Sequence, residues 1–264
     1  LEKINSKKAI IESTEKLAEI KKDLDSNKEF SVRSSNIRKN KVRSPQPFIT
    51  STLQQQMAQN NGWSPRKTMT VAQMLYEGIE IEGKPAGLIT YMRTDSTRIA
   101  DSAVKSAKDY ILSAYGDKYL GKGKKKKRSK KNVQDAHEAI RPTKLEYTPK
   151  NIKSFLTNDQ FRLYEQIFNR FIASQSSDGI DKVQTTNFES TDLKYTFKGR
   201  VVNLDFDGWR KVYNVRKEEK IEVKSLKKGD DALLKEYKTE EKETKPKPRY
   251  STGTLIKNLE KKGI

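Results

Sequence analysis

The stretch Gly87-Leu-Ile-Thr-Tyr-Met-Arg-Thr-Asp-Ser-Thr-Arg98 decides how this chain is read. It opens apolar, with Leu88, Ile89, β-branched Thr90 and Tyr91, the composition of a buried or half-buried strand. It turns polar at Arg93, followed by Thr94, Asp95, Ser96, Thr97 and Arg98. A tyrosine that closes a strand is ordinarily a core residue with a wet hydroxyl. The alternative is a nucleophile. A phenol of pKa about 10 is weak at neutral pH, yet a nearby guanidinium favours the phenolate and neutralises a phosphoryl group. The surroundings have to choose between the two.

Helices surround the stretch. Upstream, Ser64-Pro65 joins a capping residue to a proline at the first helical position. It predicts a helix ending at Gly78, with Met69, Ala72, Leu75 and Tyr76 as the buried stripe. A short hairpin is expected between Gly78 and Gly87, with Ile79 and Ile81 alternating toward a turn at Gly83-Lys-Pro85. Phe48 to Gly62 reads as an earlier helix capped by Thr50, Ser51 or Thr52. Downstream, Asp101 or Ser102 caps a helix with Val104, Ala107, Ile111 and Ala114 on one face. Thr157-Asn-Asp-Gln160 is a capping box that opens another, with Phe161, Tyr164, Ile167, Phe168, Phe171 and Ile172 inward. That aromatic stripe is core by its spacing. The basic block Gly121–Lys131 reads as a mobile loop.

The flanks have the period of strands. Ser6 to Leu24 is expected to be a helix, with Ser6 as its cap and Ile10, Leu17, Ile20 and Leu24 as its stripe. Phe30 to Arg43 reads as a strand with a positive solvated face, and Ser44-Pro-Gln-Pro47 as a rigid connector. After Ser177 the period becomes two, with strands at Lys182–Glu189, Lys194–Phe206 and Trp209–Val215. They are parted by Gly199 or a nearby turn and by Asp207-Gly208. Ile221–Val223 and Ala232–Leu234 add two short strands, and Lys238–Arg249 reads as a linker. The fold class is α+β, a β-rich domain interrupted by a helical insertion. The expected domains are residues 1–47 and 177–248 as the two β-rich parts, 48–176 as the helical domain bearing Tyr91, and 249–264 as the start of a further one.

Composition limits the function. The chain of 264 residues carries 55 Lys and Arg against 35 Asp and Glu, a net charge of +20, which calls for a polyanionic partner and favours nucleic acid. With no cysteine and one histidine, neither a disulfide framework nor a multi-His or thiolate metal site can form. No signal peptide or bilayer-spanning run stands out, so the protein is read as intracellular. Leu1 follows no initiator Met, and the last helical pattern breaks off at Gly263. The sequence is therefore expected to be a piece of a longer protein.

Three further segments carry chemistry. Phe48-Ile-Thr-Ser-Thr-Leu-Gln-Gln55 sets three hydroxyls at a helix start. Ala72-Gln-Met-Leu-Tyr-Glu-Gly78 places Gln73 and Glu77 one turn apart on one helix face. Gln134-Asp-Ala-His-Glu-Ala-Ile-Arg-Pro-Thr143 holds the single histidine, His137, with Glu138 and Arg141 after it. Each is weak alone. In this order, with GLITYMRTDSTR at 87–98 and RYSTGTLIKNLEKKGI at 249–264, they resemble the type IA DNA topoisomerase family in its bacterial branch.

That resemblance implies a mechanism and an architecture. Tyr91 would attack a single-strand phosphodiester and become joined to the 5′ phosphate. Arg93 would hold the scissile phosphate and the added charge of the transition state. His137 would hydrogen-bond the phosphate or position the tyrosine, with Arg141 near the same strand. Gln73, Glu77, Thr90, Thr94 and Asp95 would frame the site on DNA, Thr94 and Asp95 being equally readable as cap and turn. The reaction needs no ATP, because each transesterification exchanges one phosphodiester for another. The passage of the other strand through the break would relax negative supercoils.

The family resemblance further implies a ring-shaped protein, with the helical domain carried on a β-rich arch and hinges near Pro45, Pro47 and Ser176–Gly179. It implies Mg²⁺, bound not here but by a TOPRIM domain preceding Leu1. Asp205-Phe-Asp207 has a metal-site spacing but reads as structural. DNA, chiefly single-stranded or negatively supercoiled, is the implied partner, the parent a monomer, and this piece alone inactive in relaxation. The rival reading is a noncatalytic single-stranded nucleic-acid-binding module.

Overall fold

The computed structural model describes residues 1–122, 137–213 and 225–263. Most of the basic block after Gly121, the residues Gln134, Asp135 and Ala136, and the expected strand Ile221–Val223 lie outside the described residues. The chain begins with β1 (Lys3–Ile4), β2 (Lys7–Lys8), α1 (Thr14–Ser26) and β3 (Glu29–Val42). Next come α2 (Thr50–Asn61), α3 (Pro65–Glu77), β4 (Ile79–Ile81), β5 (Lys84–Ala86), α4 (Asp101–Tyr115), α5 (Pro149–Ile152) and α6 (Asn158–Gln175). β6 (Gly179–Ser190), β7 (Tyr195–Phe206), a 3-10 helix at Gly208–Tyr213, β8 (Asp231–Leu233) and α7 (Thr252–Lys262) complete the order. Helices and antiparallel sheet mix as the α+β reading requires.

One compact unit comprises residues 1–42, 180–206 and 225–245. Its six strands run in the order β2-β1-β7-β6-β3-β8. The long hairpin β6–β7 pairs antiparallel from Ile180↔Phe206 to Glu189↔Thr196, with a bulge at Ile180/Asp181. Its turn lies at 191–193, where Leu193 has φ of 60°. Gly199 is therefore inside β7, opposite Thr186, and marks no turn. Side chains alternate across the sheet, so Tyr195 and Phe197 share a face with Phe188. Ile20 and Leu24 of α1 pack on that face with Phe30. Burial of such a side chain contributes about 1.5–3 kcal/mol.

Helix α1 starts later than its apolar spacing suggests. Asn5 and Ser6 have φ of 47° and 64° and form the turn between β1 and β2. The cap is Ser13, whose hydroxyl accepts from the Lys16 amide at 3.2 Å. Ile10 accordingly lies exposed before the helix. At the other end of α1, Asp23 accepts from Lys194 and from the Tyr195 hydroxyl, the latter at 2.6 Å. These bonds hold the Asp23 carboxyl below its usual range, and Asp23 in turn raises the Lys194 ammonium.

The second unit comprises residues 43–179, 207–213 and 246–263. Helices α3 and α6 start where the capping signals place them. Helix α2 is instead capped at Ile49, one residue before the expected Thr50, and the Ile49 amide donates to the Thr52 hydroxyl at 3.0 Å. The Ser64 hydroxyl accepts from the Lys67 amide at 3.1 Å. Thr157 and Gln160 form the reciprocal box at 3.3 and 2.9 Å. The buried face of α3 is Thr68, Val71, Ala72 and Leu75, so Met69 and Tyr76 sit beside it, Tyr76 exposed. For α4 the cap is Ala100, one residue before Asp101, and Ala114 faces out. α6 buries Leu163, Tyr164, Ile167, Phe168, Phe171 and Ile172. α7 packs on α2.

Two features close the base of this unit. The Ser44 amide donates to Asp178 Oδ1 at 2.7 Å, joining the segment that leaves β3 to the one that leads into β6. The expected strand Trp209–Val215 is instead the 3-10 helix Gly208–Tyr213, which packs on α6. Gly208, with φ of 53°, turns the chain out of the extended path at that point. The Trp209 amide donates to the Ser177 carbonyl at 2.9 Å, and the Tyr119 hydroxyl to Asp207 at the same distance. Burial, then the Asp207 bond, pushes the Tyr119 phenol up to about 12. Among the described residues no helix is long and apolar enough to cross a membrane.

Candidate active site

The path to Tyr91 begins at the C-terminal end of α3. Gly78 ends that helix, and β4 and β5 form a hairpin turning at Glu82-Gly83, one position earlier than the proline suggested. The chain returns at Gly87, close against α3. A Cβ on Gly87 would lie 2.9 Å from the Tyr76 carbonyl oxygen, so only glycine fits. Leu88 then donates its amide to the Leu75 carbonyl at 2.8 Å. Leu88 and Ile89 are fully buried.

The stretch that reads as a strand forms no regular ladder. Its one bridge is Ile89↔Pro142. Around that bridge, the Thr143 amide donates to the Leu88 carbonyl at 3.0 Å and the Thr90 amide to the Arg141 carbonyl at 2.9 Å. The pairing goes no further because the Arg141 amide turns to the Thr90 hydroxyl and Ile140 pairs with Phe48 instead. The Thr90 hydroxyl completes the join, donating to the Ala139 carbonyl at 2.7 Å and accepting from the Arg141 amide at 3.0 Å.

Beyond Thr90 the chain bends at Met92-Arg93 and alternates in exposure. Met92, Thr94 and Ser96 are buried, while Tyr91, Arg93 and Asp95 are exposed. The buried side is fastened by hydroxyls. The Thr50 hydroxyl donates to the Met92 carbonyl at 2.8 Å and accepts from the Thr94 amide at 2.8 Å. The Thr50 amide, in the first turn of α2 and without a helical partner, donates to the Thr94 carbonyl at 2.9 Å. Thr94 Oγ1 accepts from the Ser96 amide at 3.0 Å, and Ser96 Oγ from the Arg98 amide at 3.2 Å. Such local side-chain bonds stand in for a ladder. The Arg98 carbonyl finally accepts from the Ala139 amide at 2.8 Å.

On the open side, Tyr91 is 38% exposed. Its ring lies edge-on to Tyr76 at 5.4 Å and tilted by 30° to the His137 imidazole at 6.0 Å. Among the described residues no hydrogen bond or ion pair engages the Tyr91 hydroxyl or the Arg93 guanidinium. Gln73 donates to Glu77 at 2.5 Å on the outer side of α3, and Asp95 is exposed. Thr90 and Thr94 point inward as fasteners. Arg141 is mostly buried and tied to Glu138 Oε2 through Nε at 2.8 Å and Nη2 at 2.5 Å.

The sequence left out Tyr76, Thr50 as a loop fastener, and Glu138. The signals were there. Thr68, Val71, Ala72 and Leu75 form a complete i, i+3, i+4, i+7 series that excludes Tyr76, and Glu138 stands three residues before Arg141 with opposite charge. The described donors do not fit a Mg²⁺ site, since no group of three or more acidic or histidine side chains is gathered in them. Asp205 pairs with Lys39 at 2.9 Å, and Asp207 accepts from Tyr119.

The family model described as DNA topoisomerase matches residues 2–264. DNA topoisomerase 1 of Thermotoga maritima is 41% identical over 249 residues, 94% of this chain and 39% of that protein. DNA topoisomerase 1 of Fervidobacterium islandicum is 43% identical over 271 residues, 100% of this chain and 38% of its own length. The solved structure of full-length topoisomerase I from Thermotoga maritima superposes with a TM-score of 0.82 at 38% identity, over 98% of this chain and 41% of that one. The chain thus spans about two fifths of the relatives it matches. The motif order, the mixed fold and these matches agree, and the chain belongs to the type IA DNA topoisomerase family.

Proposed function

We propose that the parent protein relaxes negatively supercoiled DNA without ATP, and that Tyr91 is its nucleophile. The Tyr91 oxygen attacks the phosphorus of one strand, the bond to the 3′ oxygen breaks, and a 5′-phosphotyrosine link and a free 3′ hydroxyl result. The other strand passes through the gap, and the 3′ hydroxyl then attacks the same phosphorus and frees the phenol. One observation carries this reading. Tyr91 and Arg93 stand exposed on the same side of a segment whose other side is bonded down, with His137 against the tyrosine ring.

Arg93 supplies a cation aimed at the phosphate, and a preorganised donor of that kind is worth about 3–4 kcal/mol in a transition state. His137 donates to the phosphate or holds the phenol in place. Gln73, Glu77 and Asp95 frame the strand, while Thr90 and Thr94 act through the backbone. The β-rich parts at 1–47 and 177–248 serve as the arch of a ring, with 48–176 as its catalytic domain and 249–264 opening the next. Mg²⁺ belongs to a TOPRIM domain outside residues 1–264, and no step here runs through it. The substrate is single-stranded or negatively supercoiled DNA, the parent a cytoplasmic, nucleoid-associated monomer, and this chain alone does not relax DNA.

The test uses the full-length parent and its Tyr91→Phe variant with end-labelled single-stranded DNA and Mg²⁺, followed by denaturation. A 5′ adduct that vanishes in the variant is the expected result. An adduct that survives the substitution refutes Tyr91. DNA binding without any adduct favours a noncatalytic binding module.

A further inference from the structure

The stretch Tyr91–Asp95 is only as well placed as what holds Thr90. That residue is clasped by the segment 138–142. Its amide donates to the Arg141 carbonyl at 2.9 Å, its hydroxyl donates to the Ala139 carbonyl at 2.7 Å, and the same hydroxyl accepts from the Arg141 amide at 3.0 Å. The segment is itself braced by side chains. Glu138 Oε2 accepts both Nε and Nη2 of Arg141, and Nη1 donates to the Pro142 carbonyl at 3.0 Å. Both side chains are mostly covered, at 14% and 19% exposed. Each guanidinium nitrogen of Arg141 is thereby engaged inside the protein.

Geometry sets this arginine apart from Arg93, which stands exposed two residues after Tyr91. A phosphate recruited by Arg141 would have to displace Glu138 and leave its carboxylate largely buried without a partner, an unfavourable exchange. The pair is instead well placed to fix a short segment, because a two-nitrogen contact to one carboxylate constrains the guanidinium plane as well as its distance. The same segment begins at His137, whose ring lies against Tyr91. One ion pair therefore governs two supports of the tyrosine, the backbone clasp before it and the imidazole beside it.

We propose that Glu138 and Arg141 are positioning residues, an ion pair that braces the 137–142 segment and thereby sets Tyr91, and that Arg141 makes no phosphate contact. This rests on Tyr91 being the nucleophile and replaces the DNA contact that the family resemblance suggested for Arg141.

The experiment compares Glu138→Arg, Arg141→Glu, the double exchange and Glu138→Gln in the full-length parent, with adduct formation on single-stranded DNA read at several DNA and salt concentrations. Each single reversal is expected to slow cleavage at saturating DNA by about 30-fold or more, and the double exchange to return to within about 5-fold of wild type. The half-saturating DNA concentration and the salt dependence of binding stay unchanged. If Arg141 touches phosphate, the double exchange stays as poor as Arg141→Glu and the salt slope falls by about one. Either result overturns the proposal.

Should a reversal fail to fold, Glu138→Gln keeps the shape of the pair and decides alone, through hydrogen exchange of the Thr90 amide. Protection at Thr90 is expected to fall while that of α6 is kept, and unchanged protection at Thr90 sinks the inference. A wild-type parent that forms no Tyr91 adduct would instead refute the functional reading, and the Thr90 measurement separates the two failures.

Discussion

β7 and the Tyr91 loop both alternate in exposure, yet they satisfy their backbones by opposite means. β7 is paired along its length with β6, residue against residue, from Thr196 to Phe206. The loop has one bridge, and after it depends on hydroxyls from Thr50, Thr90, Thr94 and Ser96. A ladder shares its load over many equivalent bonds, so no single side chain decides the path. A loop held by a few side chains places its exposed residues just as definitely, with no neighbouring strand beside them. That is what the role proposed for Tyr91, meeting a DNA strand, requires.

Two glycines test this contrast most severely. Gly87→Ala drives a Cβ to 2.9 Å from the Tyr76 carbonyl oxygen, where backbone must move. Displacement of reacting groups by about 1 Å can cost some 100-fold in rate, and a loss of that order in adduct formation by the parent is expected. In the ladder, Gly199→Ala brings its Cβ to 3.5 Å from the Phe188 ring, an ordinary contact. Its unfolding free energy from urea titration should change by less than about 1 kcal/mol in either direction. Equal sensitivity at the two sites would break the comparison.

The hydroxyl fasteners come next. Thr50→Val keeps the shape of the side chain but leaves the Met92 carbonyl and Thr94 amide short of a partner. Urea unfolding of the helical unit should show a loss of about 1–3 kcal/mol, the usual cost of a buried unsatisfied group. Asn187→Ala in β6 removes a side-chain bond to Ser34 at 2.9 Å but leaves the ladder intact. Its cost should stay near or below about 1 kcal/mol. A Thr50→Val variant as stable as wild type would show that the loop is held by something else.

The smallest effect is in pH. Tyr119 has its phenol raised from 10.0 to about 12, so the folded state favours the protonated form. Its contribution is complete below pH 10 and is lost as pH rises through 12. Asp23 in the other unit behaves conversely. Its carboxyl is depressed, so its contribution is present above its ordinary pKa and is lost as pH falls through the lowered value. Melting curves of Tyr119→Phe should lose part of the alkaline arm, and those of Asp23→Asn part of the acid arm. A variant that alters the opposite arm would contradict the assignment.

How much of this was legible in the sequence follows the same division. The helices that begin at Ser64-Pro65 and Thr157-Asn-Asp-Gln160 start where read, because a cap is a local device that involves only its own turn. The hairpin β6–β7 followed from its period of two, since an interrupted apolar pattern of that length has few other uses. Ser6 misled because it sits with Asn5 in a left-handed turn, and the β1–β7 pairing that fixes that turn joins Lys3 and Ile4 to Thr196 and Tyr195, far along the chain. Gly87–Tyr91 has strand composition without strand structure, because the Thr90 hydroxyl takes the Arg141 amide and Ile140 pairs with Phe48 instead. Trp209–Tyr213 alternates like a strand, but α6 offers it a surface and no strand stands beside it. Within the candidate site, Tyr91, Arg93 and His137 were readable as types in order. The work of Thr50 and Glu138 was not, since it appears only when distant segments meet.

The bond between the Ser44 amide and Asp178 spans 134 positions of sequence and ties both ends of the helical excursion together. An excursion so pinned is tolerant of changes in its own length. Each doubling of a flexible segment between fixed ends adds only about 0.6 kcal/mol of closure entropy. Insertions or deletions in the connections between these helices would thus be felt locally and scarcely at the pinned ends. Related chains can therefore differ widely in the size of this region while joining it to the sheet at the same two residues.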